Sequence, residues 1–380
     1  MKPKTNNNLI SVENAQEIIF SNFKKLKTIK KKLIDSNGFI LEKEIKALFD
    51  LPNKNNSAMD GFAVRYDDLE PNKVLKVVGR VGAEAITDYV LKKDEALRIM
   101  TGSGIPEGAD SVVPFEKTNN NPHKGDDFPD SVLINEIVKK GDNIRLSGQD
   151  YKLGETVVEG GMLIDPPIVG AIASFGINEV NVIRKPMVSV ISTGNELVMP
   201  GDQLKEGQIY DSNSFAISAA IKNSGSDFKM HRILSDNKED VDKLYEDCSQ
   251  SDLIVTIGGV SKGDFDLIRD AISSKGSIDF WGINMKPGKP LAFGQVNIKG
   301  KKLFHIGLPG NPVSSYVCFE LFIRPVLLKM QGIKNIYRKK VSAKINSDIN
   351  NYDGRRSYTR VNIKKDKIIS EIICVPLPNM

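Results

Sequence analysis

The sequence predicts a multidomain α/β protein. A doubly wound, mostly parallel α/β domain is joined to an inserted β domain, a helical or mixed linker domain and a short C-terminal β domain. Three observations predict this. Strand-length apolar runs alternate with helical patterns from 186 to 330, short β-like runs separated by turn residues fill 58–147, and β patterns return in the last fifty residues. A chain of 380 residues with 40% hydrophobic content can build several separate cores.

Residues 11–34 read as one amphipathic helix. Ile18, Ile19, Leu26, Ile29 and Leu33 recur near helical spacing, Ser11 is placed to cap the start, and Asn37-Gly38 ends it. The lysines at 24–32 would form its solvated face. In the inserted region the expected strands are Phe62–Arg65, Val74–Val78, Leu97–Met100, Ser111–Phe115 and Val132–Val138, with a polar loop at 119–130. Residues 151–183 hold a Gly-rich turn, a short helix and a strand. The α/β region is expected to place strands at Met187–Ile191, Phe228–Ile233, Leu253–Ile257, Ile278–Trp281 and Leu303–Ile306. Helices are expected near 213–224, 237–249, 265–275 and 312–330, the last a core helix interrupted at Pro325. Ligands of such sheets bind at the carboxyl ends of the strands.

Composition narrows the class. A net charge of +5 over this length lacks the concentrated basic face of a nucleic-acid binder, so no nucleic-acid partner is expected. Three scattered cysteines and three dispersed histidines lack metal-ligand spacing, which predicts a reduced cytoplasmic protein without structural zinc. The first residues, MKPKTNNN, lack the apolar core of a signal peptide, and no apolar run is long enough to span a bilayer, so no membrane partner is expected.

The chemistry-bearing residues gather after the expected strands. The first strand runs into STGNEL, where Thr193, Gly194 and Asn195 allow close main-chain approach and Glu196 puts a carboxylate at the mouth. In IYDSNS, Asp211, Ser212 and Asn213 sit where a helix begins, a pattern that helix capping alone explains. Strand 253–257 runs into GGVSKGDFD. Gly258, Gly259, Ser261 and Gly263 offer main-chain amides to phosphate, whereas Asp264 and Asp266 would repel it unless a cation such as Mg²⁺ lies between. KPGKP holds Lys286 and Lys289 on a stiff turn through Pro287 and Gly288, as point charges for an oxyanion; alone it would also pass for an exposed charged turn. In GLPGNPVSS, Pro309, Gly310, Asn311, Pro312 and Ser314 form a helix start that aims its positive end at an anion. Asp60, Thr101 and the pair Arg145 and Asp150 occupy turns in the region before the α/β domain.

Taken together, SAMDGFAV, TGSGIPEGAD, NIRLSGQD, STGNEL, IYDSN, GGVSKGDFD, KPGKP and GLPGNPVS occur in the order and approximate spacing of MoeA-type molybdopterin molybdenumtransferases, the family that includes the gephyrin E domain. The chain resembles that family from about residue 10 to 365. The resemblance implies domains at 1–50 plus 148–182, 51–147, 183–330 and 331–380, the last one shortened. It implies Mg²⁺-dependent insertion of molybdate into adenylylated molybdopterin with release of AMP. It also implies a homodimer with a shared active cleft, and transient contact with the adenylyltransferase and with cofactor-accepting enzymes. By motif position Asp60, Thr101, Asp150, Glu196, Asp236, Asp266 and Lys286 match the family's functional residues, with Lys289 beside them. Asp60, Thr101 and Asp150 would face the cleft across the dimer, Glu196, Asp264 and Asp266 would hold Mg²⁺, and Arg355 or Arg356 in YDGRRSYTR would reach the substrate cleft. Two positions depart from the family pattern: Gly282 stands where a basic residue is common, and Gln149 replaces a glutamate. Two rival readings are a molybdopterin adenylyltransferase, which shares the α/β domain, and a non-catalytic scaffold. KPGKP and the additional domains argue against the first, and the carboxylates Asp60, Glu196 and Asp266 against the second.

Overall fold

A computed structural model describes residues 9–82, 88–119, 129–232, 238–258, 272, 276–345, 351, 354–365 and 372–376. They fall into two compact units, one formed by residues 44–159 and 167–177, the other by the rest.

The first unit is built on a five-stranded sheet. Its order is Ser111–Pro114, Gly61–Val64, Glu95–Ile99, Val74–Val81 and Ser131–Leu133. Alternating side chains divide between two buried clusters. Phe62, Val64, Leu75, Val77 and Val113 enter one, and Ala63, Leu97, Ile99 and Val112 the other. Four of the five expected strands shift by a residue or a few. The run expected over Val132–Val138 pairs only through Leu133, because the Asn135 and Glu136 N–H groups turn away to the Lys117 carbonyl at 2.9 and 3.2 Å. Two short ribbons flank the sheet: Asn56–Ser57 with Ile144–Arg145, and Ile45–Lys46 with Thr156–Val158.

The second unit carries a six-stranded sheet. Its strands are β1 (Met187–Ser192), β2 (Asp227–Arg232), β3 (Leu253–Ile257), β4 (Gly276–Trp281), β5 (Ala292–Ile298) and β6 (Lys301–Leu308), in the order β2-β1-β3-β6-β5-β4. The first four of that order are parallel, and β5 and β4 join antiparallel. Strand β5 is absent from the sequence expectation. Its residues, AFGQVNI, mix Gly294, Gln295 and Asn297 into the apolar run, and an antiparallel strand with one polar edge needs no continuous apolar stretch.

Both faces of the sheet are covered. Val188, Val190, Val255, Ile306 and Leu308 pack with the Ser212–Asn223 helix, the 312–330 helix and the N-terminal helix. Ile191, Ile254, Val296 and Leu303 pack on the other side with Tyr245 and Cys248. The bidentate Arg184–Asp252 pair, at 2.7 and 2.6 Å, sits where β1 and β3 begin, and Asp252 also accepts from the Met187 N–H at 2.9 Å. The 312–330 helix widens to a π-turn over Phe319–Ile323 and resumes over Arg324–Met330, so Pro325 falls in the first turn of the resumed segment, where its missing N–H is tolerated.

The single helix expected over 11–34 is corrected. The helix is Val12–Ser21, capped by Ser11 Oγ accepting from the Asn14 N–H at 3.1 Å as expected. The chain then leaves helical geometry: the Leu26 N–H donates to the Met330 carbonyl, and Thr28–Lys32 becomes a strand paired antiparallel with Glu179–Ile183. The spacing of Ile29 and Leu33 fits a strand face as well as a helix face, and three of the five strand residues stay exposed. Residues 344–345, 361–365 and 372–376 form a separate three-stranded sheet. No helix of the described residues is long and apolar enough to cross a membrane.

His305 on β6 is fully buried, and neither ring nitrogen has a partner among the described residues. Burial pushes its pKa down to about 3 from 6.5. The unfolded chain therefore takes up a proton that the folded chain refuses, and stability is lost as pH falls from about 6.5 towards 3. The shift corresponds to a ceiling of about 4–5 kcal/mol. Urea unfolding from pH 7 to 4 should show this slope, and His305→Leu should flatten it.

Candidate functional site

The strand order reverses between β1 and β3. From β1 the chain moves to β2 on one side and then crosses to β3 on the other, so the carboxyl ends of β1 and β3 mark the topological switch point, the position where sheets of this kind form their ligand crevice. Main-chain bonds lace this end together. The Thr193 N–H donates to the Ile257 carbonyl, and the Gly258 N–H to the Leu308 carbonyl, each at 3.1 Å. Gly258 has φ +88°, and a Cβ there would stand 2.9 Å from the Thr193 carbonyl oxygen. The glycine is what lets the main chain at the end of β3 lie against Thr193.

After β1, Thr193 and Gly194 are half-buried while Asn195 and Glu196 are exposed. The Glu196 carbonyl accepts from the Ile209 N–H at 2.9 Å, and Leu197–Val198 pairs with Ile209–Tyr210. This brings the start of the Ser212–Asn223 helix to the same end of the sheet. Asp211 is buried and caps that helix, taking the Ser214 N–H at 3.1 Å and its hydroxyl at 2.6 Å. Ser212 is exposed beside it. Asn213 donates from Nδ2 to the Gly310 carbonyl at 2.6 Å, tying this helix to the GLPGNP loop. In that loop Pro309 is buried, Gly310 is exposed, Asn311 caps the next helix through the Ser314 N–H at 3.1 Å, and Pro312 occupies its first turn. The site expectation therefore divides chemically. Asp211 and Asn311 have their side chains committed to caps, whereas Asn195, Glu196, Ser212 and Gly310 face solvent.

KPGKP lies in the same unit. Met285–Lys286 pairs with Arg356–Ser357, and the loop is closed by the Gly282 N–H to Leu291 and the Ile283 N–H to the Lys289 carbonyl, at 2.8 and 2.9 Å. Both lysines are exposed, Pro287 is half-buried, and Gly288 is buried against Cys318 and Met285. Burial pushes the Cys318 thiol up to about 12, which makes it packing rather than a nucleophile. Gly282 has φ +97°, a left-handed backbone conformation that glycine adopts readily.

The sequence did not reveal what holds Lys286. The Tyr358 N–H donates to the Lys286 carbonyl at 2.7 Å, the Arg356 N–H donates to Asn284 at 3.2 Å, and the Arg356 guanidinium pairs with Glu13 on the N-terminal helix. A hydrogen bond to Glu13 and a second to Tyr358 hold the Arg356 pKa above its usual range. Arg355 is half-buried beside this strand, its carbonyl accepting from Asn351 at 2.8 Å. Arg356→Gln should reduce turnover about tenfold by loosening the Lys286 strand while leaving the unfolding midpoint nearly unchanged; steady-state rates with parallel denaturation curves check it.

In the other unit, Asp60 and Thr101 meet. Asp60 Oδ1 accepts from the Thr101 N–H at 2.7 Å and from its hydroxyl at 2.8 Å, just beyond the paired Gly61 and Ile99. Asp150 pairs with Arg145, and Arg145 stands opposite Asn56 in the short ribbon that leads to Asp60. The Ser147 N–H donates to Asn55 Oδ1 at 2.8 Å, a loop tie that no motif marked. Asp60, Thr101, Arg145 and Asp150 are thus gathered at one edge of this unit by neighbouring turns.

Gly259, Ser261, Gly263, Asp264, Asp266 and Asp236 lie outside the described residues. Among the described residues no group of three or more His, Cys, Asp or Glu is placed to hold a metal. Glu196, exposed at the crevice, supplies a hard oxygen donor of the kind Mg²⁺ takes.

Comparison with known proteins decides the family. Residues 10–176 match the model of the MoeA N-terminal region (domain I and II), and residues 189–329 match that of a probable molybdopterin binding domain. The molybdopterin molybdenumtransferase of Staphylococcus epidermidis is 36% identical over 350 residues, covering 90% of this chain and 80% of that protein. The chain belongs to the MoeA-type molybdopterin molybdenumtransferase family. The Haemophilus influenzae member is 38% identical over 78% of this chain and 71% of its own, and molybdopterin molybdenumtransferase 2 of Mycobacterium tuberculosis is 34% identical over 92% and 87%. A solved molybdopterin biosynthesis MoeA protein from Pyrococcus horikoshii superposes with a TM-score of 0.75 at 31% identity, covering 98% of this chain and 90% of that one. The chain is a transferase of molybdenum cofactor biosynthesis with a mixed α/β fold like that of the MoeA structures.

Proposed function

We propose that this transferase inserts molybdate into adenylylated molybdopterin and releases AMP, in a Mg²⁺-dependent step. One observation carries the reading: the carboxyl ends of β1, β3 and β6, tied through Thr193, Gly258 and Leu308, and the start of the Ser212–Asn223 helix, tied to Gly310, lie together at the topological switch point, where α/β sheets bind phosphorylated ligands. Thr193, Gly194 and the exposed Gly310 would receive the adenylylated substrate there. Lys286 and Lys289 would neutralise its phosphates or the molybdate dianion. Glu196, with Asp264 and Asp266, would hold Mg²⁺, which supplies Lewis-acid polarisation of the phosphate being cleaved. Catalysis would then rest on positioning and electrostatic stabilisation, with no side-chain nucleophile. Asp60, Thr101 and Asp150 would complete the cleft from the partner subunit of a cytoplasmic homodimer with the four-domain plan of 1–50 plus 148–182, 51–147, 183–330 and 331–380. Transient contacts with the adenylyltransferase and with cofactor-accepting enzymes would pass substrate in and product out.

The test supplies purified protein with adenylylated molybdopterin, Mg²⁺ and molybdate and follows AMP. Molybdate-dependent release supports insertion. Turnover only with ATP and unmodified molybdopterin would reassign the protein as an adenylyltransferase, and tight binding without turnover would mark a scaffold.

A further inference from the structure

Away from the strand-end crevice, the six-stranded unit has a cavity of about 380 Å³ beside the far end of the Ser212–Asn223 helix and the 312–330 helix. Its charge is one-sided. Lys185, Lys222, Arg324 and Arg338 line it, with Glu320 as their carboxylate. Glu320 takes both guanidiniums: Arg338 donates to its two oxygens at 3.1 and 2.9 Å, and the Arg324 Nε lies 3.9 Å away. One carboxylate cannot neutralise two guanidiniums and two ammonium groups, and a concavity with such a surplus concentrates anions. Burial, then the charge of Arg338, hold the Arg324 guanidinium below its usual pKa, whereas the hydrogen bonds to Glu320 hold Arg338 above its own, so the carboxylate serves Arg338 first.

Geometry adds to charge. Arg324 is fixed by its Nη1–H to the Ile336 carbonyl at 3.1 Å, so part of its fork is held in place before any ligand arrives. Lys185 is held over the Phe39 ring, 4.6 Å from its centroid. Tyr316 presents a half-exposed ring on the same wall, and the volume exceeds what a bare tetrahedral oxyanion fills.

We propose that this cavity is a second anion site that binds a small organic phosphate monoester, its phosphate held by Arg324, Arg338 and the two lysines and its organic part lying on Tyr316. None of these residues belongs to the strand-end site, so the cavity can be tested in a chain whose crevice is weakened.

The experiment is calorimetric titration of full-length Lys286→Gln protein with AMP, with inorganic phosphate and with adenosine. AMP should bind saturably, phosphate should compete with it, and adenosine should bind at least tenfold more weakly. Lys222→Gln, at an exposed position, should weaken AMP severalfold, and adding Arg338→Gln should bring the loss to at least tenfold. Glu320→Gln should act in the opposite direction and tighten binding, which a folding defect would not do. The absence of saturable AMP binding, equal affinity for adenosine, or affinities unmoved by both Lys222→Gln and Glu320→Gln would overturn the proposal. These readouts do not depend on turnover, so failure of the molybdate assay leaves them intact.

Discussion

Lys286→Gln is expected to slow molybdate-dependent AMP release by about 10²–10³-fold, the loss typical of removing one electrostatic contact that strengthens as charge develops. The lysine is exposed, and its strand is anchored through main-chain bonds to Tyr358 and Arg356 that glutamine would leave in place. Stability should therefore change by less than about 0.5 kcal/mol, the range of ordinary surface substitutions. Lys286→Arg separates charge from shape. A guanidinium keeps the positive charge but presents a planar fork in place of a compact ammonium, so partial recovery is expected. Steady-state rates and denaturation midpoints on the same preparations check both claims. A variant with full activity would remove Lys286 from the chemistry.

The largest structural effect is expected from Gly288→Ala. Gly288 has φ +100°, a region that costs an L-residue roughly 1–2 kcal/mol. Its added Cβ would also stand 2.7 Å from Cys318 Sγ and 2.8 Å from Met285 Cε, both buried side chains. The methionine end can swing aside, but the cysteine is short and rooted in the helix under the turn. Overpacking of this kind costs about 1–3 kcal/mol, giving a total of about 2–5 kcal/mol. The double variant Gly288→Ala with Cys318→Ala should recover the packing share and not the backbone share. Urea unfolding of the two single variants and the double variant measures that coupling. Because the turn carries Lys286 and Lys289, activity should fall along with stability.

What the sequence made legible follows a physical pattern. Strands β1 and β3 were readable, because a parallel strand buried on both faces is a nearly continuous apolar run. The caps at Asp211 and Asn311 were readable because capping is local chemistry. Strand β5 was missed because Gly294, Gln295 and Asn297 break its apolar run, and the N-terminal helix was overextended because Ile29 and Leu33 satisfy two periodicities. Long-range ties left no trace. Glu13 and Arg356 lie 343 residues apart, and nothing in either segment points to the other. The cavity around Glu320 was equally hidden, since Lys185, Lys222, Arg324 and Arg338 come from separate segments brought together only by packing.

The central claim is that this chain couples molybdate to cleavage of the adenylylated pterin. Its most direct test is a single-turnover measurement of AMP release from adenylylated molybdopterin and Mg²⁺, with molybdate varied and then omitted. The account predicts release that rises saturably with molybdate, stops when Mg²⁺ is chelated, and is nearly abolished in Lys286→Gln. AMP release at the same rate without molybdate, or none at saturating molybdate, would contradict it.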